Sequence, residues 1–110
     1  MERMAESKAL LDDDSITSAL ADLPGWERDG DSIVTFAKLA DFVTAIGVVG
    51  RVAEDAESVQ HHPDIDIRYN SLKFRLSTHS EGGLTAKDTD FAGRINRRVS
   101  DAGGSTQSRA

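Results

Sequence analysis

The chain has no cysteine among its 110 residues. Disulfide frameworks, thiol nucleophiles and thiolate-bound zinc or iron–sulfur sites are therefore excluded. Any catalytic chemistry must come from histidine, carboxylate and backbone groups. Histidine is the side chain whose ordinary pKa lies closest to neutrality, so the three histidines of the chain are the first candidates for catalysis.

Long apolar runs are also missing, as is an excess of positive charge. No stretch approaches the roughly 18 to 20 apolar residues of a membrane span, and the N-terminal segment MERMAESK lacks the apolar part of a signal peptide. We therefore expect a cytoplasmic protein without a membrane partner. The formal net charge of −6 would repel a phosphate backbone, and the basic residues cluster only at Arg94, Arg97 and Arg98. Direct nucleic-acid binding is not expected.

The length and composition predict one globular domain. Hydrophobic residues make up 38% of the chain and charged residues 29%, which is typical of a folded protein. A chain of 110 residues is long enough for one core and too short for two. Residues 1–8 and 103–110 are polar and aperiodic, so we expect flexible ends around a single domain at residues 9–102.

Apolar residues at steps of three and four predict three helices, at residues 12–23, 41–58 and 85–101. The third helix begins with Thr85-Ala86-Lys87-Asp88, which resembles a capping box. The second helix has the clearest pattern. The apolar stripe predicted for it consists of Phe42, Val43, Ile46, Val49, Val52 and Ala53.

Alternating apolar and polar residues predict four strands in two hairpins. The first hairpin turns at Asp29-Gly30 and the second at Asn70-Ser71, because Gly and Asn tolerate the backbone angles of a tight turn. Hairpins mixed with helices indicate an α+β fold: a four-stranded antiparallel sheet with three helices on one face, in the order αββαββα. The predicted strands are residues 26–28, 32–38, 65–69 and 72–76.

The three histidines are predicted to meet at one end of this sheet. With Asn70-Ser71 as the turn, the strand ladder places His62 opposite His79, and His61 precedes His62 directly. Adjacent side chains of a strand point to opposite faces, so the His61-His62 pair cannot share one apolar surface.

Two carboxylates, Glu57 and Asp88, are expected at the same end of the sheet. Imidazoles beside carboxylates allow either a metal site or general acid–base catalysis. No His-x-His or helical His-x3-His spacing is present, so proton transfer is favoured and no metal is expected. Each residue alone also has a structural interpretation, since a His before a Pro can bind a loop carbonyl and Asp88 can be a capping residue only.

A set of polar residues with its spacing resembles the signature of the pterin-4a-carbinolamine dehydratases. Neighbouring segments, including residues 23–26 and 76–79, also resemble family segments, and the resemblance covers about residues 11–99. The signature is Glu57, three residues, His61-His62-Pro63, five residues, Tyr69, nine residues, His79, eight residues and Asp88.

The resemblance implies a fold and a reaction. The family fold is a four-stranded antiparallel sheet with three helices on one face, and its members form dimers or dimers of dimers. Their reaction removes water from a 4a-hydroxytetrahydropterin, such as 4a-hydroxytetrahydrobiopterin, to give the quinonoid dihydropterin. This step recycles the cofactor of aromatic amino-acid hydroxylases and requires neither a metal nor a cofactor of its own.

The resemblance also implies roles for individual residues. His61 and His79 carry the acid and base roles, while His62 binds and orients the pterin. Glu57 and Asp88 set the tautomer and charge of the imidazoles, or bind the amide-like edge of the pterin.

Two alternatives stay open at the level of sequence. Trp26, the only Trp, either walls the pocket or belongs to the core. The chain is either an enzyme or a non-catalytic binding module, because relatives of this fold serve as a transcription-factor dimerisation partner or as an enzyme-assembly factor. Residues 63–67 lack the aromatic residues that some relatives carry, which predicts a different pocket wall. The full set of histidines and carboxylates favours the enzyme.

Overall fold

The computed structural model describes residues 9–109. The predicted flexible N-terminus, residues 1–8, lies outside the described residues. Within the described range three α-helices, five strands and one short 3-10 helix follow one another along the chain. They are α1 (Asp13–Ala21), β1 (Glu27–Asp29), β2 (Ser32–Lys38), α2 (Phe42–Val59), β3 (Asp64–Arg68), β4 (Ser71–Leu76), the 3-10 helix (His79–Glu81), α3 (Ala86–Asp101) and β5 (Ser105–Gln107).

Side-chain caps explain where the helices begin. The carboxylates of Asp12 and Asp41 each accept a backbone N–H from the first turn of α1 and α2, at 2.8 Å. Hydrogen bonds from the backbone and side chain of Ser15 lower the pKa of Asp12, and those from the side chain and backbone of Thr44 lower the pKa of Asp41. Thr85 and Asp88 form the predicted capping box of α3. Each cap satisfies an N–H that the first helical turn leaves without an intrahelical partner.

The four main strands form an antiparallel sheet in the order β1-β2-β4-β3. Together with the three helices, this sheet confirms the predicted α+β fold. Alternate residues of β2 and β4 pack with the helices in one apolar core. Val34 and Phe36 occupy the intervening positions of β2, whose side chains point to the other face of the sheet. The largest fully buried apolar side chains are Phe74, Ile33, Leu72, Leu76, Ile95, Val48, Val52 and Val99.

The C-terminal segment differs from the prediction of a flexible tail. Ser105–Gln107 forms β5, which pairs with residues 36–38 on the edge of β2 that β1 leaves open. Gly103 has a φ of 83° after α3, a conformation that favours glycine and turns the chain back towards the sheet. The sequence does not reveal this strand because its residues are polar and it is held by backbone pairing instead of apolar alternation.

The second hairpin is shifted from its predicted register. Tyr69 and Asn70 form the turn, one residue earlier than predicted. Ile67 therefore lies opposite Leu72, whereas the predicted register placed it opposite the residue two positions further along β4. Tyr69 adopts a left-handed φ of 53°. Asn70 exchanges two hydrogen bonds with the backbone of Leu39, a contact distant in sequence that fixes the turn and that local turn preferences do not contain.

The buried face of α2 is rotated relative to the predicted stripe. Phe42, Val43 and Ile46 expose 48%, 79% and 39% of their surface. Both faces of the first half of this helix are apolar, so periodicity alone does not tell which one meets the sheet. Despite this apolar character, no helix within residues 9–109 is long and apolar enough to cross a membrane. The residues of α2 that are buried are Ala45, Val48, Val52, Asp55 and Ala56.

Candidate active site

The C-terminal end of α2 positions the first two histidines. Gln60 adopts a left-handed φ of 53° directly after the helix, and the N–H of His61 donates to the carbonyl of Ala56 at 3.1 Å. This reversal leads the chain from the helix into β3. As a result, His61 is buried, with 7% of its surface exposed, while the adjacent His62 is exposed.

His61 forms a buried pair with Asp88. Its Nε2 lies 2.6 Å from Oδ1 of Asp88, and Asp88, in the first turn of α3, is 0% exposed. Phe91, one turn further along α3, meets the imidazole edge to face, with ring centroids 6.5 Å apart. A histidine held by a carboxylate has a fixed ring orientation and tautomer, which directed proton transfer requires.

Asp88 is held from its other side as well. Its Oδ2 accepts the hydroxyl of Thr78 at 2.7 Å and the backbone N–H of Thr85 at 2.9 Å. The hydroxyl oxygens of Thr78 and Thr85 lie 2.8 Å apart, and all of these residues are buried. Asp88 is therefore both a capping residue and the partner of His61, so the structural and functional interpretations of this residue are compatible.

His62 and Glu57 form a second, exposed pair. Nε2 of His62 lies 2.6 Å from Oε2 of Glu57, and the two side chains expose 55% and 72% of their surface. An ion pair this exposed contributes little to stability. Its position at the end of α2, next to the buried His61, leaves it accessible to a bound molecule.

The position of His79 relative to this network differs from the predicted one. The strand ladder ends before either histidine, so the predicted pairing of His62 with His79 across β3 and β4 is wrong. His79 is exposed and begins the 3-10 helix. Its chain neighbour Thr78 donates to Asp88, which places His79 one residue from the hydrogen-bond network of His61.

A cleft of about 210 Å³ opens beside His61. The Nδ1 atom of His61 has no hydrogen-bond partner among the described residues, and no side-chain nitrogen or oxygen that is fully buried there lacks a partner. Nδ1 is therefore accessible from outside. A larger hollow of about 400 Å³ lies at Phe36 and Arg68 and contains no histidine. The cleft beside His61 is lined by Val59, His61, Lys87, Asp90, Phe91 and Arg94.

An ion pair with a buried carboxylate and partly exposed arginines ties α2 to α3 near these residues. Asp55 is 6% exposed, and its two carboxylate oxygens accept hydrogen bonds from Arg98 at 2.8 and 2.9 Å. Arg94 adds a longer contact at 3.4 Å. The hydrogen bonds from Arg98 lower the pKa of Asp55, against the opposite effect of burial. The ion pair thus fixes the position of α2, which His61 follows, relative to α3, which carries Asp88.

Trp26 lies in the core. It is 6% exposed, and its indole N–H donates to Oδ1 of Asn96 at 2.9 Å. The amide of Asn96 donates in turn to the carbonyl of Pro24 at 3.2 Å. These contacts favour the core interpretation of Trp26, and within residues 9–109 no hydrogen bond joins it to a histidine.

The structure thus brings the sequence-predicted residues together in two pairs, His61 with Asp88 and His62 with Glu57. Thr78 and Thr85 belong to the same network, although their hydroxyls were not among the predicted site residues. The available signal was their position: Thr78 immediately precedes His79, and Thr85 is the N-cap three residues before Asp88. Among the described residues, no three His, Asp or Glu side chains are grouped in a way that could hold a metal ion.

Comparison with known proteins gives this site its context. A family model described as Pterin 4 alpha carbinolamine dehydratase matches residues 9–98. The chain belongs to this family. The matched segment contains every residue of the two histidine pairs as well as His79, Thr78 and Thr85.

Relatives in the dehydratase family come from distant bacteria. A protein of Mycobacteroides abscessus is 54% identical over 91 residues, which are 83% of this chain and 97% of that protein. A protein of Trichormus variabilis is 47% identical over 88 residues, 80% of this chain and 95% of that protein. Both are provisionally named pterin-4-alpha-carbinolamine dehydratase.

A crystal structure of a transcriptional coactivator/pterin dehydratase from Brucella melitensis has a similar fold, with a TM-score of 0.80 and 33% sequence identity. The match covers 83% of this chain and 99% of that chain. The fold predicted for the dehydratase family is therefore the fold of this chain.

Proposed function

We propose that this protein is a 4a-hydroxytetrahydropterin dehydratase that uses histidine general acid–base catalysis. The observation that carries the proposal is the buried His61–Asp88 pair: Nδ1 of His61 has no partner among the described residues, and His61 lines a cleft of about 210 Å³. The dehydratase names of family members support the reaction class. The substrate that the family implies is 4a-hydroxytetrahydrobiopterin, and the product is the quinonoid dihydropterin, a step in tetrahydrobiopterin recycling.

The reaction needs one proton donor and one proton acceptor. The C4a–O bond breaks as an acid protonates the leaving hydroxyl, and the electron pair of N5 forms the C4a=N5 double bond. A base removes the proton from N5, so the sum of the two transfers is the loss of one water molecule. Imidazole suits both transfers because its ordinary pKa is near neutrality, and neither transfer requires a metal or a further cofactor.

The geometry supports different roles for the three histidines. His61, buried and held by Asp88, and His79, exposed on the 3-10 helix, share the acid and base roles. His62, exposed and paired with Glu57, binds and orients the pterin. Each carboxylate then fixes the ring orientation of its own histidine.

The proposal extends to association and location. The exposed apolar residues Phe42, Val43 and Ile46 on α2 form a stripe, here called the α2 stripe, that a second copy of the chain can cover. A homodimer or homotetramer in the cytoplasm, without membrane or nucleic-acid partners, is the form that we propose.

A binding module is the second candidate function. The Brucella melitensis relative is described as both a transcriptional coactivator and a pterin dehydratase, and the α2 stripe is a surface on which a partner helix can pack. This role uses a surface separate from the histidine pairs, so it is compatible with catalysis.

Stopped-flow measurement of the dehydration tests the proposed function. The 4a-hydroxytetrahydropterin is generated chemically, and its disappearance is followed with and without the protein. We expect a first-order rate that rises in proportion to protein concentration above the buffer rate. A protein that is folded, by circular dichroism, and leaves the buffer rate unchanged at micromolar concentration would leave the binding module as the function.

A further inference from the structure

The hydrogen bonds around Asp88 have only one consistent direction. An ionised carboxylate accepts hydrogen bonds and donates none, so the Thr78 hydroxyl donates its only hydrogen to Oδ2 of Asp88. In the 2.8 Å contact between the two threonine hydroxyls, Thr78 must then accept and Thr85 must donate. The Thr85 oxygen itself accepts the N–H of Lys87 at 3.2 Å. The chain of donors therefore runs from Thr85 through Thr78 to Asp88.

This direction determines the tautomer of His61. Oδ2 of Asp88 already faces two donors, the hydroxyl of Thr78 and the N–H of Thr85, so only Oδ1 remains to receive a hydrogen from His61. Imidazole is ordinarily more basic than a carboxylate, and the hydrogen of the 2.6 Å contact therefore belongs to Nε2. Nδ1, which faces no protein partner among residues 9–109, is left as the nitrogen that gains or loses a proton.

We propose that Thr78 is a positioning residue, which through Asp88 fixes His61 as the Nε2–H tautomer, and that Nδ1 of His61 is the atom that exchanges a proton with the substrate. The role of Thr85 is to orient the Thr78 hydroxyl. The Nε2–H tautomer follows from the hydrogen bonds alone, whereas proton exchange between Nδ1 and the substrate rests on the proposed function.

The Thr78 hydroxyl is not needed to shape its own loop. The backbone N–H of Thr78 donates to Gly83 at 2.9 Å, and the Thr78 carbonyl accepts from Glu81 at 3.0 Å and from Gly83 at 3.4 Å. These bonds stay when the side chain is replaced by valine, which has the same shape and no hydroxyl. Thr78→Val therefore removes the contact with Asp88 and leaves the loop backbone its own hydrogen bonds.

Nitrogen-15 NMR of the histidine rings tests the tautomer directly. The protein is labelled with ¹⁵N-histidine and measured near pH 9, well above the ordinary pKa of imidazole, and the His61 signals are identified by their loss in His61→Gln. We expect the parent His61 to carry its proton on Nε2, with a downfield, slowly exchanging proton signal. In Thr78→Val this proton should exchange with water at least about 10-fold faster, because Asp88 loses one of its two donors on Oδ2. His62 and His79 serve as internal references.

Kinetics test the catalytic half of the proposal. We expect Thr78→Val to lower kcat by about 10- to 100-fold with KM changed less than about threefold, the range that outer partners of a functional histidine show in metal sites. Thr78→Ser restores the hydroxyl and should recover kcat to within about threefold of the parent. The matched control is Thr35→Val. Thr35 is also a buried threonine, and its hydroxyl contacts the carbonyls of Gly25 and Gln107 and no histidine or carboxylate. Thr35→Val should lower Tm and leave kcat and the His61 signals unchanged.

The outcomes test the positioning role of Thr78 and the proton-exchange role of Nδ1 separately. A parent His61 protonated on Nδ1, or a Thr78→Val signal identical to that of the parent, overturns the positioning role whatever the rates show. The predicted NMR result together with no dehydratase activity in the parent overturns the proposed function and leaves the tautomer assignment standing. The predicted NMR result with an unchanged kcat in Thr78→Val overturns the claim for Nδ1. If Thr78→Val does not fold, Thr78→Ala and the parent tautomer decide the same questions.

Discussion

Nε2 of His61 and Oδ1 of Asp88 lie 2.6 Å apart across 27 positions of the chain, and both side chains are buried. The contact connects a residue just after the C-cap of α2 with the first turn of α3. It therefore exists only when the two helices are docked on each other, which makes the geometry of the site a property of the folded core. The ion pair between Asp55 and Arg98 joins the same two helices.

Removal of either imidazole that we propose as an acid or base should abolish most of the rate acceleration. We expect His61→Ala and His79→Ala each to lower kcat by about 10² to 10⁴, the usual contribution of one general acid or base. Stopped-flow dehydration measures the effect, and circular dichroism shows whether each variant is folded. His79 is exposed, so its variant should keep the parent Tm, whereas the buried His61 leaves a cavity and should lower Tm. Rates within a few-fold of the parent for both variants would remove these residues from the mechanism.

No metal should be needed for activity. Adjacent His61 and His62 bind separate carboxylates, Asp88 and Glu57, and the sequence contains no His-x-His or His-x3-His pair. Dialysis against a strong chelator should therefore leave the dehydration rate unchanged, and addition of Zn²⁺ should not raise it. Stoichiometric metal in elemental analysis, with activity lost on its removal and regained on its return, would contradict this prediction.

Stability should fall in acid as Asp55 is protonated. Its pKa in the folded protein lies below the usual value of 3.8, so the stabilising effect is complete above about pH 4 and is lost as the pH falls below it through the folded value. Near pH 7, Asp55→Asn should lower the free energy of unfolding by about 1.5 to 3 kcal/mol, as for buried hydrogen bonds to charged groups. Urea unfolding at pH 7 and pH 3 measures this difference between parent and variant.

The pH dependence of that difference is the decisive part of the Asp55 experiment. The gap between parent and Asp55→Asn should shrink from pH 7 to pH 3, because acid protonates Asp55 more readily in the unfolded chain than beside Arg98 in the folded protein, and this favours unfolding of the parent only. Asp64→Asn, on the exposed edge strand β3, is the control and should differ little from the parent at either pH. A gap that stays constant or widens in acid would contradict the role given to the ion pair.

Local patterns predicted the three helices and the four main strands, and contacts distant in sequence decided how these elements meet. The capping box of Thr85 and Asp88 is readable within four residues and is confirmed. The turn at Tyr69 cannot be predicted from neighbouring residues alone, because Leu39, distant in sequence, helps to hold Asn70 there. The exposed Val43 was likewise assigned to the wrong face of α2, since an apolar side chain is compatible with burial against the sheet or against another molecule.

The sequence proposes the residues of the candidate site but does not predict which of them contact one another. The spacing of His61 and Asp88 resembles a family signature, and that resemblance names the residues. Which carboxylate meets which histidine depends on the docking of α2 against α3, and the shifted register of the hairpin removes the predicted pairing of His62 with His79. No sequence pattern indicates a role for the hydroxyl of Thr78, because sequence alone does not distinguish this threonine from any other residue at the end of a strand.

Association through the α2 stripe is the last prediction. Val43, 79% exposed between the exposed Phe42 and Ile46, loses its contact with water if a second chain covers the helix, and burial of such side chains drives association. Val43→Glu places a charge in that interface and should convert a dimer or tetramer into a smaller species, measured by light scattering at high micromolar concentration. Thr17→Glu, an exposed position on α1, is the control and should keep the parent mass. A parent that is monomeric at this concentration would contradict the proposed oligomer, and an oligomer unchanged by Val43→Glu would place the interface on another surface, such as the edge strand β3.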